Sequence, residues 1–243
     1  MRITRLYHSE DLQCGETTQL DANASSHLIR VLRSKPGTSF TLFNGDGFDY
    51  LCKTIDTDPK KTLVSIESRI ETDNESNISI TLIQGLSRQD RMEATIQKSV
   101  ELGVNKIIPV ICQRSNHKLA KDKRIKKLEH WRKVAISACE QSGRSVVPEI
   151  LEITSLNELN SLLEPDAMKL NLYPAAQKSL KDISRDHPGI EIFIGPEGGL
   201  SNDESDTLRR YGFENIRFGP RILRTETAGP AVISAVQILW GDL

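Results

Sequence analysis

The sequence has few cysteines, few aromatic residues and no long apolar run. It contains four cysteines and 5% aromatic residues. The cysteines lie far apart, with neither a C-x-x-C pair nor a histidine at metal-ligand spacing, so we expect reduced thiols and no metal site. Nowhere do about 18 apolar residues follow one another, and the N-terminal stretch lacks a signal-peptide core. We therefore expect a cytoplasmic protein that neither crosses nor binds a membrane.

The sequence carries almost no net charge, but its charged residues are unevenly distributed along the chain. The formal net charge is -1, yet residues 84–148 carry 14 basic and 6 acidic side chains, a local excess of +8. The flanking segments are acidic, at -3 for residues 1–83 and -6 for residues 149–243. A local basic field favours a polyanionic partner, because attraction to phosphate acts over about a Debye length. A solvated, lysine-rich helix face is the alternative interpretation.

The first seventy residues are typical of a small β-rich unit. Apolar runs on either side of Asn44-Gly45-Asp46-Gly47 predict a β-hairpin. Before it, a serine-capped segment with apolar Leu28, Val31 and Leu32 predicts a helix that Pro36-Gly37 ends. That helix carries His27, Arg30 and Arg33 at i, i+3, i+6 spacing, which could follow a phosphate backbone or could simply keep the surface soluble.

From Ile78 onward, strand and helix patterns alternate. Apolar runs predict strands at 78–84, 107–112, 170–173, 190–194 and 215–218. Between them, helices are expected at 88–102, at 122–142 with Ile125 facing inward, after the Ser201 to Glu204 capping box, and at 230–240. Such alternation predicts an α/β fold with a mostly parallel sheet between helices.

Two loops stand out for their composition. GPEGG (195–199) follows an apolar strand, where α/β proteins bind ligands, but it fits neither G-x-G-x-x-G nor G-x-x-x-x-G-K-[ST]. Glycine there would let the backbone approach a flat ligand, or merely make a tight turn. GPRILRTETAGP (219–230) gathers arginine, threonine and glutamate in a second loop, which is more typical of a site than of a spacer.

Four strings in order resemble one known family. EATIQKSVELGVNKIIPV (93–110), ACEQSGR (138–144), GPEGGLS (195–201) and ILRTETA (222–228) are similar to the bacterial uridine-N3 methyltransferases of 16S ribosomal RNA, in the SPOUT class. The resemblance implies a PUA-like RNA-binding domain at 1–72 and a knotted methyltransferase domain at 76–243. It also implies a homodimer that uses S-adenosylmethionine, with the small ribosomal subunit or its RNA as partner. Gly229-Pro230 departs from the family pattern and predicts a later helix start.

The resemblance also implies roles for particular residues. The expected cofactor-binding residues are Leu172, Ile194, Gly195, Pro196, Gly199, Leu200, Leu223, Arg224, Thr225, Glu226 and Ala228. The expected RNA-binding residues are His27, Arg30, Arg33, Arg88, Arg91, Lys98, Arg114 and Arg144. For catalysis, Arg91 could stabilise a uracil anion and Glu197 or Glu226 could accept the N3 proton, although both glutamates could instead brace loops.

The last predicted helix is apolar on more than one side. Apolar residues surround most of 231–240, so we expect one side on the sheet and another, including Ile233 and Val236, at a dimer interface.

Two other functions fit the sequence. They are a methyltransferase acting on another RNA position and a non-catalytic RNA-binding protein. An enzyme of small metabolites fits the +8 segment less well.

Overall fold

The computed structural model describes residues 4–115 and 121–243 and divides the chain into two compact units. The first unit comprises the chain up to Glu75 together with Cys139–Val147, and the second comprises Ser76–Ala138 with Pro148–Leu243. The segment 139–147, which the sequence places in the second domain, thus groups with the first unit.

The first unit is built on a five-stranded sheet in the order β1-β3-β4-β5-β2. Its strands are β1 (Arg5–Tyr7), β2 (Thr17–Gln19), β3 (Ser39–Phe43), β4 (Phe48–Thr54) and β5 (Leu63–Glu71). β1 pairs parallel with β3, and the other pairs are antiparallel. The expected hairpin is confirmed between β3 and β4, where Gly45 and Gly47 adopt positive φ angles of 99° and 89°.

The predicted helix of this unit exists but differs in its start and its exposed side. Helix α1 (Ala22–Ser26) is capped by Asp21, not by a serine, and continues into a π-helical turn at His27–Val31. In that turn the Leu32 backbone N–H donates to His27 O at 3.0 Å, an i to i+5 bond. The extra residue per turn changes the phase of the helix. Leu28 is therefore buried, whereas Val31 and Leu32, expected to be buried too, are exposed.

The second unit confirms the predicted α/β fold with a parallel sheet. Strands run in the order β12-β10-β11-β6-β7-β8, β9 also pairs with β7, and every pair is parallel. The strands are β6 (Ser79–Gly85), β7 (Lys106–Ile111), β8 (Glu149–Ile150), β9 (Thr154–Ser155), β10 (Met168–Leu172), β11 (Gly189–Ile194) and β12 (Glu214–Ile216). The knot that the resemblance implies stays a prediction.

In the part of the chain that the structure describes, four α-helices accompany this sheet: α2 (Gln89–Glu101), α3 (Lys121–Ser142), α4 (Asn202–Arg210) and α5 (Thr225–Trp240). On α3, Leu128 and Ala135 are buried as expected, but Ile125 is half exposed, contrary to the prediction. The capping box before α4 is confirmed, because Ser201 Oγ accepts from the Glu204 N–H and the Glu204 carboxylate accepts from the Ser201 N–H.

Helix α5 begins earlier and is buried differently than the sequence indicates. It starts at Thr225, so Pro230 lies inside the helix and the expected later start is wrong. Pro230 has no N–H to donate to the fourth residue before it, and the helix continues nonetheless. Ile233 and Val236 are fully buried in their own unit, which is incompatible with their expected place at a subunit interface.

Candidate active site

A cavity of the second unit lies beyond the carboxyl ends of β10, β11 and β12. Its volume is about 850 Å³. Three segments supply most of its walls, namely 172–175 after β10, 194–200 after β11, and 217–225 after β12. Parallel strands bring their carboxyl ends to one edge of a sheet, where loops can form a site without disturbing the core.

The glycine turn after β11 is shaped by close backbone approach. The Gly199 N–H donates to Pro196 O at 2.9 Å and closes a turn. Gly199 has a φ of +67°, and a Cβ placed on it would meet no atom within 4 Å, because it lies beside the cavity. A Cβ on Gly85 would lie 2.6 Å from Pro196 N, so β6 must end in glycine for the turn to pass.

Most of the expected cofactor residues converge on this cavity. Its lining includes Leu172, Ile194, Gly195, Pro196, Gly199, Leu200, Leu223, Arg224, Thr225 and Ala228. Glu226 is absent from the lining, although it lies one residue after Thr225. Sequence reasoning assigned no role to Tyr173–Ala175, Arg217 and Phe218, whose only signal is that they directly follow Leu172 and Ile216 at the ends of two strands. Residues 219–222, which also line the cavity, were expected only as part of a site loop and not as cofactor-binding residues.

The three candidate catalytic residues form one charged cluster. Arg91 on α2 lines the cavity, and its Nη1 donates to Glu197 Oε1 at 3.1 Å. Arg91 Nε lies 3.8 Å from Glu226 Oε2. Glu197 also accepts the backbone N–H of Arg88 at 3.2 Å, so it braces the glycine turn against the start of α2. Glu226 Oε2 is buried and has no hydrogen-bond partner among the described residues.

The other expected RNA-binding residues of the second unit lie at the surface. Arg88 and Lys98 are exposed on or beside α2, and Lys98 pairs with Glu101 at 3.0 Å. Arg114 is exposed, and its Nη1 donates to Gly198 O at 3.3 Å, so it also contacts the glycine turn. Two cationic side chains, those of Arg91 and Arg114, therefore contact the glycine turn.

In the first unit, three expected residues are exposed and one is not. His27, Arg30 and Arg33 are exposed around the π-helical turn, and Arg33 adopts a positive φ of 55°. Arg144, in contrast, is 3% exposed, and its Nη2 lies 2.5 Å from Glu75 Oε2. A guanidinium held in this way braces the first unit, and the structure does not support its expected role in RNA binding.

Residues 4–115 and 121–243 contain neither a candidate metal cluster nor a helix that could span a membrane. No three histidine, cysteine, aspartate or glutamate side chains in these ranges are grouped so that they could hold a metal ion. The helices of the same ranges include none with the length and apolarity that a membrane span requires.

Comparison with protein families identifies the chain. Residues 74–237 match the RNA methyltransferase domain, and residues 20–67 match the RNA methyltransferase PUA domain. The chain therefore belongs to the RNA methyltransferase family and carries a PUA domain before its methyltransferase domain. Ribosomal RNA small subunit methyltransferase E of Buchnera aphidicola subsp. Acyrthosiphon pisum is 32% identical over 241 residues, which cover 99% of this chain and 95% of the relative.

Two solved structures are similar over their whole length. Ribosomal RNA small subunit methyltransferase E from Neisseria gonorrhoeae, bound to S-adenosyl methionine, is 39% identical with a TM-score of 0.92. A putative methyltransferase from Legionella pneumophila, in complex with the same cofactor, is 37% identical with a TM-score of 0.96. Each comparison covers 100% of both chains.

Proposed function

We propose that this protein transfers a methyl group from S-adenosylmethionine to N3 of a uridine in 16S ribosomal RNA of the small ribosomal subunit. One observation carries the proposal: the glycine turn and the loop 217–225 line a single cavity whose wall includes Arg91. Names of the relatives support the RNA class and the cofactor. The uridine itself rests on the family resemblance. We infer a cytoplasmic location from this substrate.

The cavity suits a ligand that has a flat apolar part and polar ends. Leu172, Ile194, Leu200 and Leu223 supply apolar walls, and the open space beside Gly199 leaves room for a ring close to the backbone. The residues that would hold the cofactor are Leu172, Ile194, Gly195, Pro196, Gly199, Leu200, Leu223, Arg224, Thr225 and Ala228. When bound, S-adenosylmethionine supplies an electrophilic methyl group.

The charged cluster provides the groups that uracil N3 requires. N3 carries a proton that must leave as the nitrogen becomes methylated. Glu226 Oε2 is the better acceptor, because it has no hydrogen bond within the described chain, whereas Glu197 Oε1 accepts from both Arg88 and Arg91. Arg91, placed between the two carboxylates, would stabilise negative charge on the uracil ring. Because N3 lies on the Watson–Crick edge, the base must be unpaired or flipped.

Exposed cationic residues in each unit would contact the RNA backbone. These are His27, Arg30 and Arg33 in the first unit and Arg88, Lys98 and Arg114 in the second. Charge reversal at Arg30 and Arg33 should weaken RNA binding and flatten its salt dependence, because each phosphate contact adds about 0.7–0.9 to the log–log slope. Cofactor affinity should stay unchanged, and an unchanged salt slope would contradict this assignment.

We also infer a homodimer built on the exposed side of α5. Ile238 is 65% exposed and Leu239 is 46% exposed, whereas Val232, Ile233 and Val236 on the same helix are buried. Charge at a two-fold interface is placed twice, so Ile238→Glu should give a folded monomer. Light scattering and circular dichroism test this. A monomeric wild-type protein with full activity would contradict the dimer.

Methyl transfer decides the function as a whole. The purified protein is incubated with S-adenosylmethionine carrying a labelled methyl group and either small ribosomal subunits or naked RNA from a strain that lacks the homologous enzyme. We expect label at N3 of one uridine, located by nuclease digestion and mass spectrometry. Label at another atom or base would replace the substrate assignment. Absence of any transfer, with the cofactor bound, would refute the enzymatic function.

A further inference from the structure

A buried glutamine outside the expected site connects the two loops of the cavity. Gln84, near the end of β6, is fully buried, and its side-chain Nε2 donates to Thr225 Oγ1 at 2.8 Å and to Gly85 O at 3.0 Å. Thr225 Oγ1 in turn lies 3.1 Å from Gly195 O. Gly195 and Thr225 both line the cavity, whereas Gln84 does not.

The donors and acceptors of this chain of hydrogen bonds are fixed. Gly85 O can only accept, so the Gln84 amide must present its NH2 group to it and to Thr225. Thr225 Oγ1 accepts from Gln84 and is left with its own proton, which it donates to Gly195 O. The Gln84 amide therefore determines in which direction the Thr225 hydroxyl points.

Stability alone does not explain a glutamine here. Its Oε1 is buried without a hydrogen-bond partner among the residues that the structure describes. Leaving an amide oxygen in that state is unfavourable, and such exceptions are uncommon in folded proteins. Ile80 and Leu82, which precede Gln84 on the same face of β6, are apolar and fully buried. An unbranched apolar side chain would satisfy the packing and leave no unpaired oxygen.

We propose that Gln84 is a positioning residue that holds the Thr225 hydroxyl against Gly195 O and so fixes the distance between the two loops of the cofactor cavity. The inference rests on the proposed function, because it assumes that this cavity holds S-adenosylmethionine. Gln84 itself does not touch the ligand. Its effect passes through Thr225 at the first turn of α5 and Gly195 at the end of β11.

The test compares two buried glutamines that lie near opposite ends of α5. Gln84→Met removes the amide but keeps the length of the side chain. Gln237→Met is the matched control, because Gln237 is also buried and does not line the cavity. The substitution removes two hydrogen bonds, the one that Gln237 donates to Leu102 O and the one that it accepts from Ser76 Oγ. Thermal melting shows that each variant is folded and how much stability it loses.

Affinity for S-adenosylmethionine is then measured by calorimetry below the melting temperatures. Gln84→Met should raise Kd at least about tenfold, the factor expected for the loss of one or two hydrogen bonds. Gln237→Met should leave Kd within about twofold of wild type, even where its melting temperature falls equally. Equal Kd values for wild type and Gln84→Met would overturn the inference. If wild type itself does not bind the cofactor, the proposed function fails first.

Thr225 provides the second test, and its single variants do not depend on Gln84→Met folding. Thr225→Val removes the hydroxyl, whereas Thr225→Ser keeps it and should retain most of the affinity. Combined with Gln84→Met, Thr225→Val should add little to the loss in binding, because both changes break the same connection. Additive losses, or equal losses in the serine and valine variants, would show that the hydroxyl does not transmit an effect of Gln84.

Discussion

Gly199 offers a direct test of what the glycine turn is shaped to hold. A Cβ at this position would meet nothing within 4 Å, so a larger side chain need not push on the protein and would instead occupy the space of a ligand. We therefore expect Gly199→Val to bind S-adenosylmethionine far more weakly. A side chain that does not fit costs about 1–3 kcal/mol, which corresponds to roughly 5- to 150-fold in Kd.

Backbone strain must be separated from loss of space, because Gly199 has a φ of +67°. A side chain in this region costs roughly 1–2 kcal/mol, which lowers the melting temperature of a chain this size by about 2–8 °C. Gly37→Val in the first unit is the matched control, since Gly37 has a φ of +82° and equally open surroundings. It should lose similar stability and keep its cofactor affinity.

Two further substitutions at Gly199 complete the design. Asparagine tolerates the left-handed region, so Gly199→Asn fills the space with little strain, whereas Gly199→Ala introduces strain with little bulk. Calorimetry should rank cofactor affinity as wild type, alanine, asparagine and valine, from tight to weak. If the valine and asparagine variants bind as tightly as wild type, Gly199 does not border the cofactor.

Three further predictions concern stability and thiol chemistry. Glu75→Gln leaves the buried Arg144 without its carboxylate. The free energy of unfolding in urea should fall by about 1–3 kcal/mol, less than for a fully buried pair because Glu75 is partly exposed, and RNA affinity should stay unchanged. An unchanged free energy of unfolding would contradict the structural role of Arg144. Burial raises the pKa of Glu191, so this carboxyl contributes stability in acid that is lost as pH rises through its folded pKa. Relative to wild type, Glu191→Gln should therefore raise the free energy of unfolding at pH 7 but not at pH 4. A lower free energy of unfolding at pH 7 would contradict the direction of the pKa shift. Burial also raises the pKa of three thiols to about 12, so a thiol reagent at pH 8 should modify only the exposed Cys14 until the protein unfolds, the protected residues being Cys52, Cys112 and Cys139.

Local sequence patterns were sufficient for most of the second unit. The capping box at Ser201 and the apolar runs of β6 and β11 are each encoded within a few residues, and the structure contains them all. The two site loops were recognisable for the same reason, since each directly follows a strand. Local signals of this kind do not require knowledge of distant contacts.

The errors arose where contacts far apart in the sequence decide the outcome. Arg144 looked like a surface cation, but Glu75, 69 positions earlier, neutralises it in the interior. Val31 is a local exception: it fits the period of an α-helix, but a π-helical turn changes the phase and Val31 is exposed. No local pattern marks Gln84 as a site residue, because its partner Thr225 is 141 positions away. None of these pairings leaves a pattern within one segment.

Glu197 and Glu226 contact the same arginine but differ in what else they bind, and this difference predicts separate effects. Glu197→Gln can still accept from Arg88 N–H through its amide oxygen, so it should retain a substantial share of turnover. Glu226→Gln cannot take a proton. In the wild-type protein, Glu226 Oε2 has no hydrogen bond within the described residues. Loss of a general base lowers turnover about 10²- to 10⁴-fold.

Single-turnover methyl transfer at saturating cofactor and RNA measures this step for both variants, with binding of each ligand determined separately. We expect Glu226→Gln to bind RNA and cofactor normally and to transfer the methyl group slowly. Arg91→Lys should also be slow, because an ammonium cannot contact both carboxylates as the guanidinium does. Equal rates for Glu226→Gln and wild type would exclude Glu226 as the proton acceptor, and a larger loss in Glu197→Gln would assign that role to Glu197.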